Sequence, residues 1–326
     1  MNYNVFEMKT RIADLDFLKG IMIFLVVAFH LNLVISTYPV ATSIVYVFHI
    51  PTFLIISGYL ANVEKDFKTY LKGLGRLIVP YLFFESIYIL MIFFLGRYLN
   101  ANNSISELTV IDFFKKILIE PAGIYWYIHT LIYCSISYYL SYKLLKLKDW
   151  NALLCMGIIL YVFIIITGSS MKMENIIYYI IGVFIMRSGL TFTEMIKPSS
   201  LAILPLIIIL YNCDVYSRAT IAGVAITLLV ISMLLFIYKT LPVNSKIGNL
   251  ITYLGKNSLS VVYFSPIYTI TAKFFNPLFG FDSTVLSYFV IATIYVVVLS
   301  IFTAWSLDRL GLTKYIFMKE NIYVKL

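Results

Sequence analysis

Apolar stretches of about 20 residues recur along the whole chain, near 17–36, 43–62, 77–95, 124–142, 151–168, 175–190, 198–214, 219–238, 258–279 and 286–306. At 1.5 Å per residue each can cross roughly 30 Å of hydrocarbon as a helix. The pattern predicts an all-α, polytopic integral membrane protein of about ten transmembrane helices, forming a single domain over residues 1–326. An even number of spans returns both termini to one side. The seventh window is the least regular, because Pro205 interrupts it and Asn212 and Asp214 crowd its end. Between the third and fourth windows, VIDFFKKILIE at 110–120 has the pattern of an amphipathic helix lying at the membrane interface.

Composition strengthens this class: 61% of the 326 residues are hydrophobic and 13% charged. The net charge of +9 does not point to nucleic acid, since membrane proteins concentrate Lys and Arg in cytoplasmic loops. With a cytoplasmic N-terminus, 19 basic residues fall inside and five outside (Arg97, Lys115, Lys116, Lys172 and Arg218), leaving Lys273 within the ninth window. That asymmetry predicts both ends in the cytoplasm, and the expected location is the cell's inner (cytoplasmic) membrane, crossed many times. Residues 17–36 lack a small-residue cleavage pattern and read as an uncleaved anchor, and no soluble domain is expected after residue 306. Cys134, Cys155 and Cys213 have no spacing that suggests a disulfide framework, a redox motif or a metal site.

Chemistry enters with the few polar groups inside the apolar windows. Lys19 and His30 are eleven residues apart, which on a continuous helix leaves them about 20° apart in azimuth and roughly 16 Å apart along the axis. Asp16 precedes Lys19 by three residues and shares that side, so an acid, a base and an imidazole form one stripe. Ionisable groups at this depth mark function by default. His30, His49 and His129 each lie five or six residues from the outer ends of their windows, and the short connection between the first two windows makes those helices neighbours. His30 and His49 are therefore expected to face one cavity. His129, among Tyr125, Trp126 and Tyr127, reads equally as part of an interfacial aromatic belt.

At the opposite edge, KDFKTYLKGLGRLIVPY places Lys65, Lys68, Lys72 and Arg76 in a loop with Gly73 and Gly75. Basic side chains beside permissive backbone suit a phosphorylated ligand, and a topological signal produces the same cluster. Glu85 and Lys273 also fall at membrane depth and are candidates for a buried pair or for lining a passage.

Four of these segments resemble one family. RIADLDFLKGIMIFLVVAFH is similar to the opening of membrane-bound acyltransferase family 3, in which a basic residue, ten residues and a histidine follow in the first helix, as Lys19 and His30 do here. FHIPTFLIISGYL at 48–60 resembles its second-helix motif, YLKGLGRLIVPY its basic entry to the third helix, and YWYIHTLIY its aromatic fourth-helix motif. Two departures stand out: Gly73 replaces the first of a pair of arginines, and SPIY at 265–268 lacks a late-helix histidine.

The resemblance implies acyl transfer, most simply of acetyl, from cytoplasmic acyl-CoA to a hydroxyl of a surface polysaccharide or its lipid-linked precursor. It resembles the stand-alone polysaccharide O-acetylases of the fucose 4-O-acetylase type. In this reading His30 and His49 are the catalytic imidazoles, with Lys19 and Asp16 at the inner end of their stripe, and Arg76, Lys72 and Lys68 are expected to hold the anionic acetyl-CoA. The implied partners are acyl-CoA, the sugar acceptor and membrane lipid, with no metal and no nucleic acid. The competing class is a polysaccharide or metabolite transporter using the same ionisable residues. Against it, no matched pair of broken helices divides the chain into two halves.

Overall fold

The computed structural model describes residues 12–95, 107–211, 216–242 and 245–325. Lys9, Arg11, Arg97, Asn212, Cys213 and Asp214 lie outside the described residues. The described chain is helical without strands. It runs through α1 (Ala13–Ala28), α2 (Asn32–Thr37), α3 (Pro39–Tyr59), α4 (Phe67–Leu95), α5 (Val110–Leu118), α6 (Trp126–Tyr139), α7 (Asp149–Thr167) and α8 (Met173–Arg187). It continues through α9 (Phe192–Met195), α10 (Ile203–Tyr211), α11 (Ile221–Thr240), α12 (Lys246–Lys256), α13 (Ser258–Ala272), α14 (Leu286–Arg309) and α15 (Thr313–Ile316). Each apolar window falls on a helix, and α3, α4, α7, α11 and α14 are long and apolar enough to cross a bilayer.

Three departures from the expected boundaries bear on function. The first helix stops at Ala28 rather than near residue 36, and a turn leads into the short α2. At its end the Leu25 and Val27 carbonyls accept backbone N–H groups of Phe29 and His30, while side chains reach the others: His30 Nδ1 lies 2.6 Å from Val26 O, and Tyr46 donates to Phe29 O at 2.8 Å. His30 therefore sits just past the helix end, and the azimuthal argument that joined it to Lys19 does not reach it.

The fourth helix begins at Phe67 rather than at 77, so Lys68, Lys72, Gly73, Gly75 and Arg76 are helical rather than in a loop. Asp66 starts it, its carboxylate accepting Thr69 N–H at 2.9 Å and its carbonyl accepting Tyr70 N–H at 2.9 Å. The third departure is α12, which is too short and too polar to register as a span, yet packs along α1.

Two closely packed helix pairs frame the bundle, α1 with α12 and α3 with α8. Glycines make both approaches possible. A β-carbon at Gly20 would overlap the Ile251 carbonyl, and one at Gly255 would overlap the Asp16 carbonyl. Gly58 and Gly182 stand in the same reciprocal relation to Tyr179 and Ile55. The α1–α12 contact buries Asp16 to 3% exposure.

As expected, 110–118 forms an amphipathic helix, α5, with a capping box between Thr109 and Asp112. Ile111 and Phe114 are exposed along it. The segment after α5 is pinned to the bundle by buried polar groups. Tyr81 donates to Ile117 O at 2.6 Å, Ser169 donates to Ile119 O at 2.8 Å, and Glu85 accepts Ala122 N–H at 2.6 Å.

Candidate functional site

The centre of the bundle is built around α3. Pro51 interrupts its hydrogen-bond ladder, since proline has no N–H to give the Val47 carbonyl. The Thr227 hydroxyl of α11 donates to Gly223 O at 2.8 Å and stands 3.3 Å from that carbonyl, which places α11 beside the break. Between Val47 and Pro51, His49 is buried to 2% exposure with Nδ1 2.6 Å from Val45 O. His30 comes within 5.9 Å of it, centroid to centroid, so the structure brings the two histidines together. Tyr46 joins them, its ring 5.3 Å from His30 and 5.1 Å from His49.

The hydrogen bonds define the chemistry of both rings. A carbonyl oxygen only accepts, so a neutral imidazole beside Val26 O or Val45 O carries its proton on Nδ1. The lone pair is then on Nε2 in each ring. His49 Nε2 has no hydrogen-bond partner although it is buried, while His30 is only partly buried and is the imidazole a ligand reaches more readily. A buried nitrogen held as a free acceptor is suited to receive a proton or an acyl group.

Two adjoining cavities open at the basic end of the bundle. The first, about 430 Å³, reaches from Lys65 and Thr69 up to Phe53 and Tyr127. The second, about 400 Å³, is bounded by Asp16, Lys256, Lys319 and the C-terminal segment. Lys19, Leu60, Ser258 and Leu259 line both. Both volumes are of the size that holds small molecules. Asp16 and Lys19 form an ion pair of 2.6 Å at this junction.

The basic residues of α4 are distributed by helical rotation. Thr69, Gly73 and Leu77 recur every four residues and line the first cavity, and nothing lies within 4 Å of a β-carbon built at Gly73. Lys68 and Lys72 are exposed on other faces, and Arg76 Nε donates to Met318 O at 3.2 Å. The cavity walls thus take their cations from Lys65 in the first, from Lys256 and Lys319 in the second, and from Lys19 in both.

The remaining intramembrane candidates lie elsewhere. His129 is buried with Nε2 2.9 Å from Leu118 O, the same carbonyl that Tyr133 donates to, so it belongs to the anchor of the segment after α5. Glu85 belongs to that anchor too, and among the described residues no ion pair joins it to Lys273. Cys134 and Cys155 are free thiols.

Two residues near the histidines escaped the sequence reading. Tyr46 precedes His49 by three residues, a helical spacing that would have flagged it. Arg218 stands just before α11, a helix packed on α3, with its guanidinium 5.0 Å from the centre of the Trp126 ring and Nε 3.8 Å from Glu174. No local pattern in the sequence links it to α3.

The described chain is thus a set of long apolar helices packed around two neighbouring imidazoles, with a cavity approaching them from a cationic mouth. Its family is explicit: the acyltransferase domain model of acyltransferase family 3 matches residues 12–305, and the chain belongs to that family. No curated protein and no solved structure matches it significantly.

Proposed function

We propose that the protein moves an acyl group, most simply acetyl, from acyl-CoA at the cytoplasmic face of the cell's inner membrane to a hydroxyl of a surface polysaccharide or its lipid-linked precursor. The observation that carries this reading is the pair of imidazoles with Nε2 available, set beyond a cavity with a cationic mouth, in a chain of the acyltransferase family. In direct transfer, a histidine Nε2 takes the acceptor hydroxyl proton as its oxygen attacks the thioester carbonyl. The C–S bond breaks, and the departing thiolate recovers a proton. In two-step transfer the same Nε2 first carries the acyl group.

The orientation in this reading has about ten crossings and both ends cytoplasmic. It is supported by the basic asymmetry and by Ile12 and Val324 lining one cavity. The protein in detergent, offered acetyl-CoA and the polysaccharide of its own envelope, should release thiol in step with acetylation. Movement of polysaccharide or metabolite with no thiol release would replace the enzyme reading with the transporter one.

Donor binding separates the cations. Lys19→Ala should raise KM for acetyl-CoA about tenfold while changing kcat less, because a phosphate contact remote from the carbonyl acts in ground and transition state alike. Arg76→Ala should raise KM through loss of its hold on the segment at Met318, and Lys72→Ala, which is exposed away from the cavity, should do least. Unchanged KM in all three variants, and in Lys65→Ala, would remove the phosphate role from this end of the bundle.

A further inference from the structure

The first cavity stops short of the histidines. Its upper wall includes Phe53, Ser57 and Tyr127, while His30, Tyr46 and His49 do not line it. On α3, His49, Phe53 and Ser57 succeed one another at intervals of four residues. They form one stripe that climbs by about 6 Å per step. Ser57 is thus on the cavity side, His49 on the far side, and Phe53 between them.

The Phe53 ring closes against Tyr127, with centroids 5.8 Å apart, and both residues are buried. Below that contact, Ser57 Oγ and Tyr127 OH are 3.1 Å apart. One hydroxyl hydrogen lies between those two oxygens, and the other is left to donate elsewhere.

Building on the acyl-transfer reading, the geometry points to this hydroxyl pair as the seat of the thioester carbonyl and to the Phe53–Tyr127 contact as the partition the acyl group crosses to reach the histidines. The hydroxyl left over donates to the carbonyl oxygen and holds the resting thioester on the cavity side, about 12 Å along α3 from the level of His49, until the acyl group crosses. The next level up is the Phe53 ring, one turn away. An acetyl or propionyl group fits within that step and a longer chain meets the ring. The partition therefore selects a short-chain acyl thioester and keeps the donor cavity closed from the acceptor side until transfer. The chemistry is unchanged by its presence: the acyl carbon gains a bond to nitrogen or oxygen and loses its bond to sulfur, which leaves as the thiol.

The test offers radiolabelled acetyl-CoA and butyryl-CoA to membranes containing the full-length protein and counts label in the polysaccharide fraction. The butyryl-to-acetyl ratio is independent of how much protein is present. Phe53→Ala should raise that ratio about tenfold or more, the scale on which apolar pockets discriminate methylene groups. Phe53→Leu should raise it less, and it decides the matter if the alanine variant does not accumulate. Tyr127→Phe should raise KM for acetyl-CoA, because it removes one of the two hydroxyls that hold the resting thioester carbonyl. A ratio unmoved in both Phe53 variants, with normal acetyl transfer by the unaltered protein, overturns the partition and leaves the enzyme reading standing. Transfer of neither label by the unaltered protein removes the enzyme reading and the partition with it.

Discussion

Replacing His30 with alanine is expected to abolish acetylation of the acceptor polysaccharide while the protein still inserts and accumulates. The alanine leaves α1 ending where it does now, since Tyr46 continues to hold the Phe29 carbonyl, and it removes the more accessible of the two imidazole Nε2 atoms. Loss of a general acid or base costs about 100-fold to 10,000-fold in rate. His49→Ala should also damage activity, because it deletes the buried neighbour 5.9 Å away. Tyr46→Phe should cost less, since it preserves the ring contacts with both histidines and loses only the bond to Phe29 O.

His129→Ala makes the contrast. That side chain binds the Leu118 carbonyl, so its loss should lower thermal stability and leave activity per folded molecule near normal. The measurements are acetyl content of the polysaccharide and membrane abundance of each variant. Near-normal acetylation by an abundant His30→Ala protein would displace the proposed centre.

The histidine pair was legible in the sequence because it depends on local features: two apolar helices, a short connection and similar depth from one side. The route by which His30 reaches the site was not. Continuing the helix to residue 36 put His30 on a stripe with Lys19, whereas a side chain bonded to the Val26 carbonyl and a tyrosine from α3 end the helix eight residues earlier. The basic cluster was legible as composition and misleading as geometry. Once Asp66 starts the helix at Phe67, rotation of 100° per residue turns Gly73 to the cavity and Lys72 away from it.

What no window of the sequence contains is the cross-chain packing. The α12 segment is eleven residues long and mixes Lys and Asn with its apolar positions, so hydropathy passes over it. Its role is set by Gly255 meeting the backbone at Asp16, more than two hundred residues earlier in the chain. The anchor formed by Glu85, His129 and Tyr81 was hidden for a related reason. At membrane depth Glu85 suggested a buried pair or a passage and His129 either function or an aromatic belt, but the partners are backbone groups at the end of α5 and just after it.

That packing sets the second large effect. Gly255→Ala adds a single methyl group, yet the β-carbon falls on the Asp16 carbonyl, and the neighbouring Gly20 N is also within contact. A flexible side chain could swing aside, but here both obstacles are backbone, so α12 must move away from α1. Overpacking a core typically costs about 1–3 kcal/mol, and a backbone collision belongs at the upper end. Separating the helices also uncovers Asp16 and its ion pair with Lys19, where the two cavities meet.

Gly157→Ala in the interior of α7 is the matched control, because nothing lies within 4 Å of a β-carbon there. Alanine in place of glycine within a helix is favourable by up to about 1 kcal/mol when space allows. The same chemical change should therefore lower the melting temperature of the detergent-solubilised protein at 255 and leave it unchanged or raised at 157. Gly255→Ala should also raise KM for acetyl-CoA, since the displaced α12 carries one wall of the second cavity. A Gly255→Ala protein that melts with the unaltered one would mean that α1 and α12 do not meet backbone to backbone, and the cavity junction at Lys19 would lose its frame.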